Sequence, residues 1–245
     1  SFSFGDSNII GSGANQSFAV GQANTIAGNG PKYQNVALGR FNEIDGVVDY
    51  AFGSGNKVVQ AGDISILPEH GGSLAVGLYN TVNSTSASVA LGQKNVVTNS
   101  AMRAAAIGES NISSGRASIA LGYLNTSSAY ASTAVGFENT ASAQAAFSGG
   151  YKSKASNDNA FAYGNQVTAS GTNSIALGIS TEALGNESVA IGNLAKTGAT
   201  ATTAVAIGYD VKAYGASSAA FGSGSIANGE SSFALGINKT TANGS

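Results

Sequence analysis

The chain has no cysteine, a single histidine, and only two prolines among its 245 residues. Without thiols it can form neither a disulfide nor a thiolate metal site, although this does not identify a compartment. Charge is scarce as well: 10% of residues are charged, and eleven Lys and Arg against thirteen Asp and Glu leave a formal net charge of −2, with no basic cluster. Nucleic-acid binding driven by phosphate neutralisation requires a concentrated basic face, so that function class is excluded. Also missing are a charged start followed by a short apolar run and any apolar stretch long enough to span a bilayer. The chain therefore reads as intracellular, or as a piece of an exported protein that does not itself enter a membrane.

Glycine is plentiful instead, at 34 residues, but it follows no Gly-X-Y period and so does not make a collagen. A phrase of the form apolar-Ala-apolar-Gly recurs along the chain, as in Ile119-Ala120-Leu121-Gly122, Thr133-Ala134-Val135-Gly136, Phe161-Ala162-Tyr163-Gly164 and Val189-Ala190-Ile191-Gly192, with Phe147-Ser148-Gly149-Gly150 as a degenerate copy. There are sixteen copies, ending at Gly5, Gly21, Gly39, Gly53, Gly77, Gly92, Gly108, Gly122, Gly136, Gly150, Gly164, Gly178, Gly192, Gly208, Gly222 and Gly236. From Gly108 onward the glycines step by fourteen residues, with one step of sixteen; before it the steps are 16, 18, 14, 24, 15 and 16. A period of this kind marks a repeat architecture in which each copy stacks on its neighbours. It predicts one domain over residues 1–245, with irregular coils and insertions over 1–107 and regular coils over 108–245. Both prolines, Pro31 and Pro68, fall in the insertions.

Fourteen residues are too few for a helix–turn–helix repeat and suit two short strands and two turns. Large residues two apart, as in Ile119 and Leu121, carry the period-2 signature of a strand. The large aliphatics are expected to point into the coil and the alanines to face something close. Five residues after the phrase glycine, Ala141, Ala155, Ala169 and Ala183 mark a second narrow strand; seven after it stand Gly115, Gly171, Gly185, Gly215 and Gly229. Glycines at two positions per repeat are expected to supply φ > 0 turns. The predicted fold is an all-β solenoid of stacked coils, a rod roughly 75 Å long at the usual strand spacing. An exposed alanine strip would be an aggregation liability, and burial against identical copies removes it, which predicts a homo-oligomer.

At Asn173-Ser174-Ile175-Ala176-Leu177-Gly178, Glu187-Ser188-Val189-Ala190-Ile191-Gly192, Ser88-Val89-Ala90-Leu91-Gly92 and Ser118-Ile119-Ala120-Leu121-Gly122, the sequence resembles the head repeat of the trimeric autotransporter adhesins. The resemblance runs over nearly the whole chain. It implies a left-handed parallel β-roll, a homotrimer, a place on the bacterial cell surface at the tip of a stalk, and an outer-membrane anchor in C-terminal regions that do not follow Gly236. It also implies host ligands: matrix proteins such as collagen, fibronectin or laminin, or immunoglobulin-like receptors of the carcinoembryonic-antigen-related family. Most copies lack the full Asn-Ser-Val-Ala-Ile-Gly form associated with matrix binding in that family, so collagen binding is not carried over. The Ile237–Ser245 ending reads as that of a head fragment.

Enzymatic readings find little footing. Glu69 and His70 could pair as an acid and a base, yet neighbours on an extended chain point apart and no nucleophile or metal-ligand cluster accompanies them. Trimeric β-helix acyltransferases use a histidine but are built on hexapeptides, against the spacing here. Gly11-Ser12-Gly13 and Gly53-Ser54-Gly55 open no helix and read as turns, not phosphate cradles. Asn111, Asn125 and Asn139, each three residues past a phrase glycine, read as a hydrogen-bonded ladder, since calcium would need carboxylates. No catalytic residue, cofactor or metal is expected.

The partner-binding candidates lie mainly where coils are lengthened, because repeat proteins place insertions on a binding face. They are Pro31, Lys32 and Tyr33; Ile66, Leu67, Pro68, Glu69 and His70; and Met102 and Arg103. Tyr123, Phe137 and Tyr151, each directly after a phrase glycine in consecutive coils, form a possible aromatic binding strip; strand parity would turn them inward with Leu121 and Val135, and packing at a subunit groove is the plainer alternative. The expected function is multivalent adhesion to a host protein, the alternative a structural spacer or self-association module.

Overall fold

The computed structural model describes residues 1–27, 34–59, 71–84, 86–98 and 101–242. These residues contain strands and turns and no helix, so none is long and apolar enough to cross a membrane. They fall into two compact units, Ser1–Ser128 and Ala129–Ser245. Each unit is a solenoid of eight coils, and each coil has one five-residue strand and one strand of two or three residues. In the first unit the long strands run from Phe2–Asp6 to Ile119–Tyr123 and the short ones from Ile9–Ile10 to Thr126–Ser127; in the second they run from Thr133–Phe137 to Phe233–Ile237 and from Thr140–Ala141 to Thr240–Thr241. Long strands pair in parallel with long, and short with short.

Register follows the sequence repeat. Phrase glycine stands beside phrase glycine, as in Gly5↔Gly21 and Gly178↔Gly192. The lengthened spacing between Gly53 and Gly77 leaves this unchanged, with Tyr50↔Leu74 and Gly53↔Gly77 in register. Added residues are thus taken up between strands, because a slip by even one residue would exchange the inward and outward faces.

The interior of a coil is thin. In the coil of Gly192 the inward side chains Ser188, Ala190, Ala195 and Thr197 are all fully buried, and in that of Gly92 they are Ser88, Ala90, Asn95 and Val97. This reverses the expected orientation: the alanines fill the coil, and the large aliphatics flanking them point outward. Two sheets joined by such tight turns cannot stand the usual ~10 Å apart, so the gap admits a methyl or a small polar group and rejects Ile or Leu on the long strand. Each buried methyl adds only about 0.8 kcal/mol, so most cohesion has to come from hydrogen bonds between coils. The short strand tolerates more bulk in the first unit, where Ile26, Ile44, Val58, Val82 and Val97 are buried; in the second the equivalents are mostly alanines such as Ala141, Ala169 and Ala213.

The turns also differ from expectation. Phrase glycines do adopt positive φ, from +97° to +141°. At Gly192 an added Cβ would run into the carbonyl oxygen of Gly208 in the next coil. The glycines seven residues further on are not left-handed; Gly171, for instance, is required by space, since a Cβ there would meet the Gly185 carbonyl. Two other left-handed positions recur and are filled mostly by ordinary residues, such as Leu194 (φ 58°) and Glu187 (φ 56°), with glycine at Gly55 and Gly224. Their amides stay in the ladder between coils, Leu194 N donating to Ile179 O (3.0 Å) and Glu187 N to Thr172 O (2.7 Å). That bond offsets the cost of about 1 kcal/mol for an L-residue in this region.

The asparagine ladder is present and buried. In the first unit Asn42 Nδ2 donates to Asn24 Oδ1 (2.9 Å) and to Gly53 O (3.0 Å), and Asn56, Asn80, Asn95 and Asn111 continue the pattern. The second unit has an asparagine of the same kind in Asn139, whose Nδ2 donates to Gly150 O (2.8 Å). Beyond, Ser153, Thr181 and Ser225 hydroxyls serve the corresponding glycine carbonyls at 3.1, 2.7 and 2.9 Å, while Val167, Ala195 and Val211 are apolar.

Two substitutions separate these forces. Gly192→Ala is expected to cost at least about 2 kcal/mol through strain at positive φ and the clash with Gly208, read as a lowered urea midpoint. Asn56→Ala leaves Gly77 O, Asn42 Oδ1 and Asn80 Nδ2 short of partners and should cost about 2–3 kcal/mol, against about 1 kcal/mol for Thr181→Ala, which removes a single hydroxyl donor shared between Gly192 O and Ile179 O. Equal losses for the last two would show that the ladder adds nothing beyond single bonds.

Candidate binding surface

Alternation along each long strand puts three side chains on its outer face: those three residues before, one before and one after the phrase glycine. In the coil of Gly122 these are Ile119, Leu121 and Tyr123, exposed by 42%, 40% and 38%. Stacking repeats the first two positions as mostly large apolar side chains, giving each unit an apolar stripe, while the position after the glycine is often polar, as at Gln22, Arg40, Gln93 and Glu109. Aromatic pairs reinforce it: Phe2 stacks on Phe18 with centroids 5.2 Å apart, and Phe147 on Phe161 at 4.7 Å and 9° between planes. At the degenerate copy, where Gly149 brings no side chain, the Tyr163 ring of the next coil leans into the space a Cβ would take. Monomeric soluble proteins rarely leave a stripe of this extent uncovered.

The predicted residues fare unequally. Pro31, Lys32 and Tyr33, and Ile66, Leu67, Pro68, Glu69 and His70, lie outside the described residues. Met102 and Arg103 occupy a regular turn: Arg103 has φ 56°, its amide donates to Ser86 O (3.0 Å), and Met102 O accepts from Ala117 N (2.8 Å). The Arg103 side chain is exposed and Met102 is half-buried. Tyr123, Phe137 and Tyr151 do share parity with Leu121 and Val135, but that parity points outward; their exposures are 38%, 37% and 40%.

In the first unit Tyr123 stands in register with Glu109. In the second, Phe137 and Tyr151 stack at 5.2 Å and 18°. Beside them Lys152 Nζ lies 5.2 Å from the Tyr151 ring centroid and 3.2 Å from Glu138 Oε2. Its bond to Glu138, aided by Tyr151, raises the ammonium pKa. The pair forms a small aromatic patch with a fixed cation at its edge, the composition of an interface core rather than of a catalytic site. Among the described residues no His, Cys, Asp and Glu are grouped so as to hold a metal ion.

The apolar stripe is what sequence reasoning misplaced. Its residues were visible in every phrase but were assigned to the interior, and the signal for the reverse was the invariably small residue between them.

Residues 100–125, 113–139, 150–166, 169–195 and 213–238 match the family model of the YadA head domain repeat. No curated protein matches the chain. The matched segments contain phrases from both units, with glycine on glycine and alanine in the coil interior. The chain thus carries the YadA-like head repeat of the trimeric autotransporter adhesins.

Proposed function

We propose that this chain is the adhesive head of an extracellular surface adhesin. Its coils wind left-handedly, three copies assemble through the outward aliphatic stripe, and the assembly binds a host protein at several equivalent places. The observation that carries the reading is the stripe itself, exemplified by Ile119, Leu121 and Ile175, whose exposure on a lone chain conflicts with solubility. Covering it with identical stripes related by rotation removes the conflict without a second gene product. The alanine row expected to serve this purpose is sealed inside the coil and cannot.

Three copies on one rigid body raise avidity where the target permits simultaneous engagement, so each contact can be weak. Phe137, Tyr151 and Lys152 offer such a contact, a stacked aromatic pair with a cation. The ligand class is a host matrix protein or an immunoglobulin-like receptor. Where the coils are regular and their outer faces uniform, the same body would also hold a binding surface away from the cell.

Light scattering should give a solution mass of about 72 kDa, three times the 24.1 kDa chain. Replacing Ile175 and Leu177 together by Asp should weaken assembly at least about a hundredfold, because two charges per chain would have to be desolvated. A wild-type monomer, or a variant that assembles unchanged, rules out the stripe as the interface. On immobilised collagen, fibronectin, laminin and immunoglobulin-like receptors, Tyr151→Ala should lower capture of the recognised ligand about tenfold, as for an interface hot spot. Capture of none of them by an intact trimer would favour the spacer role.

A further inference from the structure

From Ser17 to Ser88, the side chain four residues before the phrase glycine points into the coil and receives a backbone amide from the same position in the next coil. Ala104 N donates to Ser88 Oγ (3.2 Å), Asp49 N to Asn35 Oδ1 (2.8 Å), and Ser73 N to Asp49 Oδ1 (2.9 Å). The column is Ser, Asn or Ala in every coil except the fourth, where it is Asp49. Asp49 is fully buried, and among the described residues its Oδ2 has no hydrogen-bond partner.

The charged side chains on the strands around it face away. Arg40 lies at the outer end of Val36–Arg40; Glu43 and Asp45 flank the inward Ile44 on Glu43–Asp45; Lys57 on Lys57–Val59 is spent on an exposed ion pair with Glu43 at 2.9 Å. Tyr50, next in sequence, and Tyr79, beyond Leu74–Leu78, are the remaining titratable groups on the packed elements. Among the described residues, a carboxylate here has one amide for company and no cation.

We propose that Asp49 makes the fourth coil a proton-controlled element of the head. Protonated, it sits in the column as a neutral acid among serines and asparagine. Ionised, it is released only by local opening of the fourth and fifth coils, which breaks the Ser73 bond and lets water reach the carboxylate. Burial supports this by pushing the Asp49 pKa from 3.8 up to about 7, the Ser73 amide opposing. The folded coil then holds a proton that the opened coil gives up. The destabilising effect is absent below the ordinary carboxylate pKa, grows as pH rises through the interval, and is complete above about pH 7. Within that window the opening equilibrium shifts by up to about tenfold per pH unit.

The test uses the full chain in its native assembly, with hydrogen exchange at the Ser73 amide followed from pH 4.5 to 8.5 and corrected for intrinsic exchange. Protection at Ser73 should fall about a hundredfold across the window in the wild type and stay level in Asp49→Asn, with Asp49→Ser as a second neutral variant of the kind the column already contains. Carbon-13 titration of the aspartate carboxyls in the unmutated protein should show one group titrating near neutrality. An Asp49 carboxyl that titrates in the ordinary range, as it would if a donor from residues 60–70 paired with it, overturns the proposal. So does a neutral variant whose Ser73 protection falls with pH as steeply as the wild type's.

Discussion

The narrow gap between the two strands of a fourteen-residue coil governs this structure. Turns of a few residues hold the sheets too close for anything but Ala, Ser, Asn, Gly or a single β-branched group to fit between them. With so little apolar volume inside, as in the coil of Ser188, Ala190, Ala195 and Thr197, the hydrophobic effect within one chain is weak, and polar bonds running from coil to coil take over. The asparagine column in the first unit and the hydroxyls that replace it at Ser153, Thr181 and Ser225 are local answers to the same need, a donor for the glycine carbonyl that the left-handed turn leaves inside.

The same gap turns the large residues outward. A chain that cannot bury Ile119, Leu121 or Ile175 in its own coil leaves them on its outer face, where the proposed assembly would cover them. In the proposed trimer, burying the stripe among like chains would also multiply the binding surfaces. Residues at the strand margin, such as Phe137, Tyr151 and Lys152, can then vary for recognition while the alanine and glycine positions stay fixed by sterics.

Asp49 shows how strict the interior is. One carboxylate in a column of neutral residues is what the proposed pH dependence rests on, because among the described residues its surroundings supply one amide and no charge.

Much of the fold was legible from the period alone. Sixteen phrases a near-constant distance apart specify parallel stacking with glycine on glycine, the insertions' failure to disturb register, and an asparagine ladder, since each follows from identical residues meeting at identical positions. Which face was inside was not legible, because alternation between large and small side chains looks the same with either set buried, and only the closeness of the second sheet decides between them. For the same reason Tyr123, Phe137 and Tyr151 were grouped correctly by parity with Leu121 and Val135 and yet assigned the wrong side. The left-handed turns at residues such as Leu194 and Glu187 escaped notice because no glycine marks them; their conformation is imposed by bonds to the neighbouring coil. The sequence by itself determined the repeat, its register and its pairing, which are properties of spacing. The tertiary structure alone decided inside from outside, because that depends on the distance between two sheets, which no single strand encodes.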